Sequence, residues 1–120
     1  MIERLEITGV HLKLWSKLEK YVYRKIGRLD RFIPRHAKKS VHGRVILSEN
    51  RKTKSATCEV VLELPHATIS AREETMNIFS SVDIVEVKLA NQIRKYKTAH
   101  TQHNDRRLLR RLLGRAKRSK

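Results

Sequence analysis

Cysteine is nearly absent: with Cys58 alone among 120 residues, the chain cannot close an internal disulfide, which fits a reducing compartment. No apolar run approaches the roughly 18 to 20 residues that a membrane-spanning helix needs. The opening Met-Ile-Glu-Arg lacks the basic region followed by an apolar stretch that marks a secretory signal. The expectation is a soluble, cytoplasmic chain with no membrane partner. Catalytic apparatus is equally sparse. His11, His36, His42 and His66 are scattered over turns and strand faces, and His100 and His103 with Asp105 stand in a polar tail, where such a pair is more often solvated than bound to metal. No nucleophile with a base and no glycine-rich phosphate loop completes a site. Binding is therefore a better reading than catalysis, and no metal or cofactor is expected. Acids are scarce too: 12 Asp and Glu against 28 Lys and Arg leave +16 on a chain with room for one domain. Charge of that size implies a polyanionic partner, nucleic acid before an anionic membrane surface.

What is present is organised around residues 13–33. At 100° per residue Leu14, Trp15, Leu18, Val22, Ile26, Leu29 and Ile33 gather on one side of a helix. Lys13, Lys17, Lys20, Arg24, Arg28 and Arg31 form a strip on the other. Like charges three and four residues apart cost a few tenths of a kcal/mol per pair, so the strip points to an anion outside the chain. Pro34 ends the segment. Gly27 falls beside the strip and reads as a tolerated surface glycine, or as a place where a phosphate backbone comes close.

Period-two alternation predicts a strand over 2–8, a second over 40–48, a third with Ala56, Cys58, Val60, Leu62 and Leu64 inward, and a fourth from Ala67 to about Arg72 after a turn at Pro65-His66. Cys58 is expected to be core packing. Thr75 is a candidate cap, with Glu73-Glu74 at the positive end of a second helix over 76–97. In that helix Ile78, Val82, Val85, Leu89, Ile93 and Tyr96 face the core, while Lys88, Asn91, Arg94 and Lys95 project outward with Ile84 and Val87. The expected fold class is α+β, in the order β-α-β-β-β-α: a four-stranded sheet, strands 1 and 2 parallel and 2 to 4 a meander, with two helices packed on one face. Glu6, Glu59 and Glu63 then fall on the uncovered face and the basic strips on the other, so a polyanion should dock on the helices. Beyond a domain over 1–98, the tail 99–120 carries +7 of the charge and the body +9. Leu108, Leu109, Leu112 and Leu113 among its arginines have the spacing of a short amphipathic helix, marginal alone in water. The tail is expected to be flexible, folding only on a partner.

The run Lys88-Leu89-Ala90-Asn91-Gln92-Ile93-Arg94-Lys95-Tyr96-Lys97, preceded by Phe79-Ser80-Ser81-Val82-Asp83, resembles the last helix of the ribosome hibernation promoting factor family, also called ribosome-associated translation inhibitors. The likeness extends over Leu18 to Phe32, the hairpin at Pro65 and the Ala71-Arg72-Glu73 step. It implies a fold similar to double-stranded RNA-binding domains. The implied function is translation inhibition, by occupying the channel of the small ribosomal subunit where mRNA and the A-site and P-site tRNAs pass. It puts Lys20, Arg24, Arg28, Lys88, Arg94 and Lys95 against 16S-type ribosomal RNA, with no DNA. Ser80 and Ser81 stand where the family has small apolar residues, and Asn91 where it usually has a charge. With only a short tail after Lys97, the chain resembles the short form, which leaves ribosome pairing to a separate dimerising factor. Two rivals remain: a general structured-RNA-binding module, and an interaction protein that oligomerises through Ile84, Val87 and the tail leucines.

Overall fold

The computed structural model describes residue 2, residues 4–35 and residues 37–100, with the side chains of 99 and 100 left aside. Alternating apolar positions build one sheet from β1 (Arg4–Val10), β2 (His42–Asn50), β3 (Ser55–Leu64) and β4 (Ala67–Thr75), and the two amphipathic stretches become α1 (Ser16–Gly27) and α2 (Ile78–His100). The strands lie in the order β1-β2-β3-β4, the first pair parallel and the other two antiparallel. Both helices pack on one face of the sheet, as the element order implied, because the crossover helix and the final helix must share the apolar side. The expected tail over 99–120 falls outside the described residues, except that the backbone of 99 and 100 continues α2.

Element ends depart from expectation where hydrogen bonds compete with periodicity. α1 does not begin at Lys13. The chain leaves β1 through His11, held at φ 54°, and folds back so closely that a Cβ on Gly9 would stand 2.3 Å from the Leu12 carbonyl oxygen. Lys13, Leu14 and Trp15 are spent on that reversal. Nor does α1 reach Ile33. At Gly27 it gives way to a tighter 3₁₀ turn over Arg28–Phe32, and the Gly27 carbonyl accepts the Ile2 N–H at 3.0 Å. Gly27 is thus buried under the lead-in to β1 rather than lying on the surface. β1 and β2 each sit two residues later than the alternation suggested; at β2 the reason is that residue 40 belongs to a second 3₁₀ turn, Lys38–Ser40. β4 runs on to Thr75, since pairing with β3 continues to Ala56↔Thr75. Glu73 and Glu74 are therefore strand residues, not a helix first turn. The cap of α2 is Asn77, whose Oδ1 accepts the Phe79 N–H at 2.9 Å.

The core is the expected one. Leu18, Val22, Ile26 and Leu29 meet Val82, Val85, Leu89 and Ile93 over Val45, Leu47, Cys58, Val60 and Leu62, all at most 1% exposed. Each side chain so buried stabilises the fold by about 1.5–3 kcal/mol before entropy. Cys58 packs as a small apolar group, and burial, with the charge of Glu59 adding to it, pushes its thiol up to about 12. Ser81 is buried as well, its hydroxyl donating to the Ala56 carbonyl at 2.8 Å and standing 2.8 Å from the Thr75 hydroxyl. A serine tolerated there pins the first turns of α2 to the sheet, where an apolar residue would only pack. β4 forms one edge of the sheet. Gln92 covers it, accepting the Ser70 N–H and donating to the Ser70 carbonyl, so α2 supplies the pairing that another strand would otherwise seek.

Candidate nucleic-acid interface

The two helices run in the same direction, with contacts ascending together from Tyr21 with Asp83 to Arg28 with Glu86. Tyr21, Lys25 and Arg28, four and three residues apart, line the flank of α1. Phe79, Asp83 and Glu86, at the same spacing, line the facing flank of α2. The Tyr21 hydroxyl donates to the Asp83 carboxylate, Lys25 Nζ stands 3.5 Å from the same group, and Arg28 Nε donates to Glu86 at 2.9 Å. The Tyr21 and Phe79 rings meet edge to face at 4.9 Å. Burial, and then the hydrogen bond to Asp83, push the Tyr21 phenol up to about 12. The Glu86 carboxylate holds the Arg28 guanidinium above its ordinary value.

This seam sorts the cations that the sequence grouped together. Arg28 has an internal carboxylate, and so has Lys88, which pairs with Glu73 of β4 and donates to the Arg72 carbonyl. Both therefore differ from the expectation of cations free for RNA, because carboxylates distant in sequence fold against them. Lys17, Lys20 and Arg24 are exposed and carry no ion pair among the described residues. They line an open cleft of about 480 Å³ with Ser16 and Tyr21, and the Arg24 guanidinium sits 5.4 Å from the Tyr21 ring centroid. On α2, Asn91, Arg94 and Lys95 are exposed, with no ion pair among the described residues. Arg31 is exposed on the 3₁₀ turn, its guanidinium 4.6 Å from the Phe32 ring. Lys13 is exposed in the loop before α1 and so is not part of the helical strip. Ile84 and Val87, earlier on α2, are 38% and 59% exposed.

Sequence reading missed the seam acids. Asp83 and Glu86 sit three residues apart on one flank of the apolar face of α2, opposite a like-spaced tyrosine, lysine and arginine. That complementary spacing was the available signal. The Gln92 to Lys97 run also divides: Gln92, Ile93 and Tyr96 are structural, the last donating its hydroxyl to the Pro65 carbonyl at 2.9 Å, which leaves Arg94 and Lys95 turned outward. Glu6, Glu59 and Glu63 do lie on the uncovered face, with Arg4, Arg44 and Arg72 among them. No group of three or more potential ligands could hold a metal among the described residues, and none of their helices is long and apolar enough to cross a membrane.

The family model described as Sigma 54 modulation protein / S30EA ribosomal protein matches residues 5–101. A curated relative, the ribosome hibernation promotion factor of Staphylococcus aureus (strain COL), is 33% identical over 95 residues, covering 79% of this chain and 48% of that protein. The chain thus spans about half the length of that relative. Two solved structures share the fold, each with a TM-score of 0.67 at 24% identity: the Thermus thermophilus Protein Y N-terminal domain, covering 76% of this chain and 94% of its own, and a ribosomal subunit interface protein from Coxiella burnetii, covering 79% and 98%.

Proposed function

The chain belongs to the sigma 54 modulation protein / S30EA ribosomal protein family, and from that premise we propose that it is a cytoplasmic ribosome hibernation factor. It binds the small ribosomal subunit through the two-helix face, occupies the mRNA and tRNA channel across the A and P sites, and inhibits translation by occupancy, with no bond made or broken. The observation that carries this reading is the segregation of charge: Lys17, Lys20 and Arg24 on α1, and Arg94 and Lys95 on α2, are exposed and have no ion pair among the described residues.

Such cations suit phosphate contacts, which give affinity and orientation with little base reading. A rigid pair of helices on a sheet suits recognition of folded RNA by shape. Lys13, Arg31 and Asn91 extend the contact surface at its margins. Arg28 and Lys88 contribute through their exposed sides while also bracing the fold. The ribosome-binding body is residues 1–98, and the basic tail over 99–120 adds non-specific attraction for RNA.

Competition on purified small subunits tests the reading. Adding the protein should displace P-site tRNA and mRNA at matching concentrations. It should bind a free RNA duplex far more weakly at the same salt. Full co-occupancy with tRNA would refute the channel, and equal affinity for free duplex would make the chain a general RNA-binding module.

A further inference from the structure

At the end of the molecule where α1 and α2 begin, an open cleft of about 280 Å³ has Leu12, Trp15, Phe79 and Met76 among its walls, with Lys54 and Glu49 on its rim. We propose that this cleft takes one unpaired nucleobase of the bound RNA, with Trp15 and Met76 on the base and Lys54 and Lys17 on the flanking phosphates. The inference rests on the RNA-binding reading above and extends it from Lys17 to a neighbouring cleft which that reading does not use.

Three observations carry it. Trp15 is the only tryptophan in a chain with six aromatic residues, and the fold leaves it 44% exposed, beside Met76 at 72%. Its ring nevertheless has a packing partner, meeting Phe79 edge to face at 6.1 Å, and Phe79 in turn meets Tyr21 at 4.9 Å. A held aromatic with an open face is what base stacking needs, and such stacking accepts any base.

The second observation is charge. Lys54, held at φ 55° at the end of the β2–β3 loop, and Lys17, in the first turn of α1, have no ion pair among the described residues. The loop also exposes Arg51 and Lys52. Glu49 would repel a phosphate at the rim, but its carboxylate can accept from the amino group of a base, as acids do with cytosine.

The third is continuity. Trp15 lines this cleft and the adjacent Ser16 lines the cationic cleft of Lys17, Lys20 and Arg24. Phe79 and Tyr21 join the two through their rings. The two clefts therefore adjoin, and a strand tracking the α1 cations reaches the slot directly. At about 280 Å³ the cleft also lies below the roughly 300–1,000 Å³ typical of pockets for whole small-molecule ligands.

Because Trp15 is the sole tryptophan, its fluorescence reports the slot directly. The full-length protein is titrated with small ribosomal subunits, with protein-free ribosomal RNA, with an unstructured oligoribonucleotide of about ten nucleotides, and with a duplex of equal length. Emission is read at each step, and sedimentation reads subunit binding separately. Subunits, free ribosomal RNA and the single strand should quench Trp15 and shield it from acrylamide, and the duplex should do so far less. Trp15→Ala should weaken subunit binding about tenfold, with Trp15→Phe recovering most of it and Met76→Ala intermediate, all with native circular dichroism. Full subunit affinity in Trp15→Ala, with unchanged emission in the wild type, overturns the slot and leaves the ribosome reading intact. A wild type that does not sediment with subunits overturns the ribosome reading, and the slot then stands or falls on the single strand. Quenching by intact subunits but by neither RNA overturns the slot in favour of a protein contact.

Discussion

The two sides of the molecule carry similar charged residues in opposite arrangements. On the open face of the sheet acids and bases alternate across strands: Arg44 stands 3.4 Å from Glu63, His42 lies 3.7 Å from Glu6 and 3.8 Å from Glu63, Glu59 is registered against Arg72, and Glu74 accepts from Ser55 and Thr57. On the helix side Asp83 and Glu86 turn inward to the seam, and Lys17, Lys20, Arg24, Arg94 and Lys95 are left facing solvent. Net charge of +16 says that a polyanion is a partner. Only the pairing pattern says where it docks.

Removing the shared platform breaks the comparison most severely. Leu89, fully buried in α2 between the sheet and α1, should cost about 2–5 kcal/mol when changed to Ala, read by urea unfolding, and should loosen both faces together. Neutral behaviour at this position would mean that α2 is not seated on the core as described.

A smaller effect sharpens the contrast within the helix face. Arg24→Ala should weaken subunit binding and lower the slope of log affinity against log salt by roughly 0.7 to 0.9, one phosphate contact, with little change in unfolding midpoint. Arg28→Ala should do the reverse, lowering stability because Glu86 loses its partner, while the slope falls by less. Equal salt effects would mean that the pairing with Glu86 does not divide the two arginines.

The smallest effect is alkaline. Folding raises the Tyr21 phenol from 10.0 to about 12, through burial first and the Asp83 hydrogen bond second. The stability this group contributes is therefore present below pH 10 and lost as pH rises toward 12. Cys58, raised from 9.0 to about 12 by burial, acts in the same direction from pH 9. Tyr21→Phe should flatten the decline between pH 10 and 12, followed by thermal unfolding, and leave the part due to Cys58. An unchanged profile would mean that the Tyr21 proton does not tie the helices together.

The core and topology were readable because periodicity survives tertiary context: the six inward residues of α2 and the five of β3 are all buried. Ends were less readable. Gly9 allows a close backbone approach that no periodicity encodes, so Lys13 and Trp15 left the helix, and past Gly27 the chain tightens so that Arg31 lies in a 3₁₀ turn. Within the candidate site, spacing identified the cations but not their partners. Glu86 lies 58 residues from Arg28 and Glu73 lies 15 from Lys88 on another element. Which cations stay free depends on tertiary packing.

The most direct test of that division sets two double charge reversals against each other in subunit sedimentation over a range of salt. Lys20→Glu with Arg24→Glu, on the helix face, should lower affinity at least about 100-fold and flatten the salt dependence by roughly two phosphate contacts. Arg44→Glu with Arg72→Glu, an equal change in net charge on the open sheet face, should leave both within about twofold of wild type. Equal losses from the two faces, or a larger loss from the sheet, would contradict the account.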